Sequence, residues 1–193
     1  NYSLYLAAQG RLEEAVEEAQ LGQKLDPLSS IISAWAAIPF AAAGHDDRAI
    51  ECLQHAISLN PNDWQPYLHL NDRYLQMSRI DDAMTASARA VELSGGASIT
   101  LAMMAVTHIL SGDTPRGREI RDELTSRSEI TYVAPSFFAS IHLAGGERDK
   151  ALAYYKDAVR ARDSWLILSS IRPDPIRPMG PEFDAVLAPV RGQ

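Results

Sequence analysis

A single cysteine, Cys52, stands in the whole sequence. One thiol cannot close a disulfide within the chain, so neither a stapled small fold nor an oxidising compartment is implied. No second Cys stands anywhere in the sequence to share a site with Cys52, and the plain reading is a thiol packed between helices. Long apolar runs are missing too: none approaches the roughly 20 residues that cross a bilayer. The start, "NYSLYLAAQGRL", has no basic n-region and no cleavage pattern, so it is not read as a signal peptide. It reads as a helix entered midway, and a fragment of a longer protein is expected. Basic residues are short as well, with 18 Lys and Arg against 25 Asp and Glu and a formal net charge of -7. The charges are interspersed. Phosphate binding needs clustered cations, so direct binding to nucleic acid is not expected.

What remains is a globular composition, 46 % hydrophobic over 193 residues. That suits one domain or a short repeat array. Two stretches carry the same punctuation: "GRLEEAVEEAQLGQKLDP" at 10–27 and "GHDDRAIECLQHAISLNP" at 44–61. In rows of 34, Gly10, Gly44, Ser78, Gly112 and Gly146 fall in one column. Ala15, Ala49, Ala83, Gly117 and Ala151 form a second, and Gly22, Ala56, Ala90, Leu124 and Ala158 a third. A fourth holds Pro27, Pro61, Gly95, Glu129 and Asp163. Each column has a physical reason. Glycine suits the left-handed residue that ends a helix, a help Ser78 must do without. Small residues seven apart share a helix face and let two helices approach closely. The Pro column ends one helix and starts the next unit.

This grammar resembles the tetratricopeptide repeat, a helix–turn–helix of 34 residues. The resemblance covers residues 1–163 and implies an all-α, right-handed superhelix of about four and a half repeats. The helices are expected at 2–9 and 12–25, 29–43 and 46–59, 63–77 and 80–93, 97–111 and 114–127, and 134–144 and 147–161. Pro135 fits a first helical turn, whereas Pro39 should kink its helix. Ala90→Leu should overpack a helix crossing, and Ala86→Leu, further round the same helix, should cost less.

Residues 164–193 break the period and read as a capping helix with a Pro-rich tail. A solenoid end leaves an apolar face open, and Trp165, Leu166, Ile167 and Leu168 are the expected cover, with Phe183, Val186 and Leu187 as a second small apolar face. The order "YVAPSFFASIHLAGGERDKALAYYKDAVRARDSWL" followed by "PEFDAVLAPV", together with "LDPLSSIIS", resembles the C-terminal repeat region of bacterial multidomain signalling proteins. In that group the upstream domain is a winged-helix regulator, a Ser/Thr kinase or a nucleotide cyclase. The resemblance implies a cytoplasmic region, or a periplasmic one if a membrane helix stands upstream.

Chemistry is hard to find. His108 and His142 share a column where the family usually has an aromatic, and core packing with a backbone or water partner is the simple account. His45 and His55 read as solvated. His69 and Asp72 share a helix face and suit polar ligand contact, but no nucleophile stands beside them. The acids of "RLEEAVEEA" read as a solvated face, and "SGGAS" lacks the lysine of a phosphate loop. No catalytic residue, metal site or cofactor is therefore assigned.

The resemblance implies that the first helix of each repeat lines a concave groove. It places Ile31, Ala34, Trp35 and Ile38 there, then Leu68, His69 and Asp72, then Ile99, Met103 and Val106, then Val133, Ser136, Phe137 and Ser140. Some family members grip a peptide carboxylate with Lys, Arg and Asn at these positions. Those types are missing here, so an apolar groove with a polar middle is expected. Trp35 and Phe137 are expected to be partly accessible. The alternative is that these residues pack on neighbouring helices or that a tight curl closes the groove. The expected function is a non-enzymatic scaffold or sensor that binds a peptide, a helix or a partner domain, including its own N-terminal effector domain. A small-molecule pocket inside the curl and a self-association module, giving a homo-oligomer, are the other readings.

Overall fold

Five turns of identical shape recur along the chain at the 34-residue spacing. The computed structural model describes residues 2–166 and 181–191, with only the backbone of 189–191. Gly10, Gly44, Ser78, Gly112 and Gly146 all have φ between 57° and 96°. The next residues, Arg11, His45, Arg79, Asp113 and Glu147, all sit near φ -82° to -93° and ψ 60° to 71°. The turn closes by a backbone bond from the residue after the left-handed one back over five residues: Arg11 to Leu6, His45 to Phe40, Arg79 to Tyr74 and Glu147 to His142, at 2.8–2.9 Å. This satisfies the carbonyls that a helix end leaves free. Ser78 holds φ 57° with a Cβ that the other four positions lack. Ser78→Gly should therefore raise stability by about 1 kcal/mol in a urea melt. An unchanged midpoint would show that the turn carries no strain.

The turns join helices into antiparallel pairs. The first pair is α1 (Tyr2–Ala8) and α2 (Leu12–Leu25). Then come α3 (Ser30–Ala42) with α4 (Asp46–Leu59), and α5 (Gln65–Gln76) with α6 (Ile80–Ser94). Next are α7 (Ser98–Leu110) with α8 (Thr114–Ser128), and α9 (Pro135–Ala144) with α10 (Arg148–Arg160). A last helix, α11, spans Pro181–Arg191. Acids open the second helices, Glu13 and Glu14, Asp46 and Asp47, Asp81 and Asp82, where they favour the helix dipole. Ser29 and Asp113 cap their helices through Ile32 and Arg116 N–H. Helix α3 runs through Pro39, which sits buried near its end.

Each helix packs on the next, and the first helices also touch one another in series: α1 on α3, α3 on α5, α5 on α7, α7 on α9. They form one continuous inner row. Ala15, Ala49, Ala83, Ala151, Ala56, Ala90 and Ala158 are all at most 1 % exposed, which places the small-residue columns at the close crossings. Ala86 is buried as well and joins a cluster with the second pair. The face carrying Ala86 meets the preceding repeat, so Ala86→Leu is expected to crowd that contact as well.

At the C-terminal end Leu166, Phe183 and Leu187 pack with Ala139, Leu143, Ala151, Tyr155 and Ala158. Trp165 joins the neighbouring cluster over Phe137. Ile167 and Leu168, the rest of the expected cover, lie outside the described residues. Among the described residues no helix is long and apolar enough to cross a membrane.

Candidate functional site

The inner row carries the candidate surface, one column at a time. The column of Trp35, His69, Met103 and Phe137 begins half-buried and ends buried. Trp35 leans on Leu6, Ala7, Ala15 and Ile38 and meets the His69 ring edge-on at 6.4 Å. Met103 packs into the cluster that contains Phe137. Phe137 is only 7 % exposed, with the Trp165 ring 5.8 Å away. The expectation that Phe137 is accessible is corrected: the first residues after the array cover it. Ile38, Leu68 and Val106 are buried too, as are Ala34, Val133 and Ser136. First helices that touch in series leave no room for them to face solvent. Trp35, His69, Asp72, Met103 and Ser140 stay half-buried, and Ile31 is 60 % exposed.

Beneath the middle of this strip lies a polar cluster. The Arg73 guanidinium, with a side chain 6 % exposed, donates to Asp46 at 2.9 Å and to Asp72 at 2.8 Å. Asp46 belongs to the preceding repeat, so the pair ties two units together. Breaking such a buried pair from one side leaves an uncompensated charge. Arg73 Nε is buried without a protein partner. It lines a cavity of about 10 Å³ with His69, Ala37, Ile38, Ala41 and Leu53, the room of one water. Burial pushes the His69 imidazole toward its neutral form; Asp72 opposes that shift and Arg73 adds to it. A neutral imidazole both donates and accepts, which suits polar contact rather than charge pairing.

Asn71 makes a second tie of this kind. It is fully buried and donates to the Ala83 carbonyl at 2.9 Å and to Thr107 Oγ1 at 2.8 Å. Thr107 in turn donates to the Met103 carbonyl at 2.8 Å. Arg73 and Asn71 were not singled out in the sequence. The signal was there: Asn71 shares a column with Ala37, Ala105 and Ala139, and Arg73 one with Pro39, Thr107 and Ile141.

Of the two histidines that share a column, His142 has a carboxylate partner, and His108 only lies near one. His142 Nδ1 lies 2.8 Å from Glu147, and its ring stacks on Tyr154 at 5.3 Å. His108 Nδ1 lies 3.3 Å from Asp113, outside hydrogen-bond geometry. The third repeat fills the same two positions with Tyr74 and Arg79, whose guanidinium sits 4.5 Å over the ring. An imidazole beside a carboxylate and a guanidinium over a ring thus occupy the same pair of positions. His55 Nδ1 meets Ser33 Oγ at 3.1 Å, and His45 stays exposed. The Cys52 thiol is buried, within 3.3 Å of Gln23 Nε2, and burial raises its pKa. Among the described residues no group of three or more His, Cys, Asp or Glu is placed to hold a metal ion.

Lys150 and His142 together hold the Glu147 carboxylate at a pKa of about 2, below its ordinary 4.5. A carboxylate depressed in the folded state stabilises above its unfolded pKa and loses that contribution as pH falls toward the folded one. The wild-type chain should exceed Glu147→Gln by about 1 kcal/mol at neutral pH, after allowance for solvent screening. The gap should close between pH 4.5 and pH 2. Denaturation at several pH values checks this, and a constant gap would show that the charge contributes nothing.

The family model described as tetratricopeptide repeat matches residues 41–63, which spans the α3–α4 turn and α4. A thermophilic tetratricopeptide-repeat protein from Thermus thermophilus, TTC0263, superposes with a TM-score of 0.68 at 17 % identity, over 88 % of this chain and 95 % of that one. The fold is a tetratricopeptide-repeat solenoid. A chain of the APC/C hetero-tetramer Cut9–Hcn1 follows the same path, with a TM-score of 0.63 at 20 % identity over 93 % of this chain and 33 % of that chain. MamA gives 0.57 at 19 % identity, over 83 % and 94 %. A comparison with curated proteins gives no match. Folds of this kind generally mediate protein–protein interaction.

Proposed function

We propose that the chain is a non-enzymatic interaction module of a larger bacterial signalling protein, and that it takes a peptide, a helix or a partner domain along its inner row. The observation that carries this reading is the half-buried strip of Trp35, His69, Asp72 and Met103 from three successive first helices, extended by exposed Ile31. Side chains in such a strip are fixed by their neighbours yet keep one face toward solvent. A partner then gains apolar contact without first ordering them. Aromatic anchors of this sort supply much of an interface's energy. Asp72, with Arg73 and Asp46 behind it, gives the strip a polar middle that sets register. The cavity beside His69 has room for one water and lends no support to a small-molecule pocket there.

Peptides selected by the wild-type chain from a random displayed library should bind Trp35→Ala at least tenfold more weakly, about 1.4 kcal/mol. The fold should lose only about 1–2 kcal/mol, because Trp35 is half-buried. Ile130→Ala, at a residue 90 % exposed and away from the strip, serves as the control. Selected peptides that bind Trp35→Ala as tightly as wild type would remove the inner row as the recognition surface. Turnover in a broad hydrolase screen that is lost with His69→Ala would overturn the non-enzymatic reading.

A further inference from the structure

We infer that the inner row selects a peptide segment with one basic side chain, a lysine or an arginine, seated between Trp35 and Asp72 and flanked by apolar residues. This rests on the inner row being the recognition surface, and it adds the chemistry of the partner. The charges of the first helices carry it. Across the described residues of α1, α3, α5, α7 and α9, Asp72 and Arg73 are the only Asp, Glu, Lys or Arg residues. The Arg73 side chain is nearly sealed, at 6 % exposed, whereas Asp72 keeps 18 % of its own side chain exposed. The charge that the first helices offer a partner is therefore negative.

That charge is not cancelled from behind. The Arg73 guanidinium is shared between Asp72 and Asp46, so one cation stands against two carboxylates. His69 lies one helical turn before Asp72 on the same side of α5. Burial favours its neutral form, so the imidazole does not supply the missing positive charge. A half-buried carboxylate has given up part of its hydration. A partner cation against it is screened less than one on the open surface.

Trp35 completes the seat. It stands one repeat before His69 and meets that ring edge-on, with centroids 6.4 Å apart and planes at 60°. Indole is the best aromatic partner for an ammonium or guanidinium group. The aliphatic stem of such a side chain packs on apolar surface while its head reaches the carboxylate. Met103 follows in the next repeat as an adaptable apolar group. The strip thus runs from indole through imidazole and carboxylate to thioether. An acidic segment would meet Asp72 with like charge. A wholly apolar one would strip water from Asp72 and offer it no new hydrogen bond.

Peptides selected on the wild-type chain from a random displayed library are the probe. Those that bind Trp35→Ala weakly report on the inner row. They should share one lysine or arginine at a fixed place within an apolar stretch. Replacing that residue by methionine in the peptide should weaken binding to the wild-type chain about tenfold. Asp72→Asn should weaken the unaltered peptide by a similar factor, and both changes together should cost little more than either alone. The loss should shrink as salt is raised. The peptide substitution needs no variant chain, so it decides the matter even if Asp72→Asn disturbs the Arg73 tie. Inner-row peptides without a shared cation would overturn the inference and leave the inner row as the recognition surface. So would losses from the two changes that simply add. Peptides that bind Trp35→Ala as tightly as wild type would remove the surface itself, and this inference with it.

Discussion

Phe183→Ala should cost the chain about 3–5 kcal/mol, the range for removing a fully buried aromatic. Phe183 is 0 % exposed. Its ring meets Tyr155 edge-on at 5.9 Å and 85°, and the Arg148 guanidinium lies 5.2 Å above it. Arg148 also pairs with Glu182 at 2.8 Å, but both partners are nearly half exposed, so that bridge adds little. Leu187, one helical turn on, is equally buried. With Phe183 cut back, these few contacts are what keep α11 on α10. Losing them would expose Tyr155 and Leu143. A urea melt of the two chains is the measurement. A loss under 1 kcal/mol would mean that α11 rests against the array without stabilising it.

Much of the array is legible in the sequence because its punctuation is local. The 12–25 and 46–59 helices fall where the Gly and Pro columns place them, since a left-handed turn and a helix stop are decided by a few adjacent residues. Ser78 shows that the column matters more than the residue: the turn forms there at φ 57° without glycine. The candidate surface was less legible. Which helix face a residue occupies follows from the period, but how far that face opens depends on how tightly successive first helices pack. Trp35 and Phe137 occupy one column and differ in exposure because Trp165 reaches back over Phe137 alone. Arg73 and Asn71 escaped notice because the family grammar concerns turns and small residues, and a polar group in an apolar column breaks no rule until its partners are seen. The histidine column points the same way. Five different pairs fill it, from Leu6 with Arg11 to His142 with Glu147, so the chemistry of the residue did not predict its role.

Gly117 is the departure in the alanine column whose meaning only the packing reveals, and Gly117→Ala should destabilise the chain by about 1–3 kcal/mol. In sequence it looks like a weakened repeat, glycine standing where Ala15, Ala49, Ala83 and Ala151 stand elsewhere. A helix interior ordinarily gains about 1 kcal/mol when glycine becomes alanine. Here the added Cβ would lie 2.4 Å from Ile109 Cγ1 and 2.8 Å from the Ala105 carbonyl oxygen. Neither atom is the free end of a flexible chain, so α7 and α8 must move apart, and Val106 and Ile120, both buried, sit in the same cluster. The bulk of Ile109 and the absence of a side chain at Gly117 are two halves of one fit. Gly22 supplies the internal control, because a Cβ there meets only Ile32 Cγ2 at 3.5 Å, an ordinary contact. Gly22→Ala should therefore stabilise by about 0.5–1 kcal/mol, the plain gain in helix propensity. Adding Ile109→Ala to Gly117→Ala should cost less than the two single losses summed, since the side-chain clash is relieved while the carbonyl contact stays. Melting temperatures of the wild type and the four variants decide it. If Gly117→Ala and Gly22→Ala shift the midpoint in the same direction, the close approach of α7 and α8 at Gly117 does not exist.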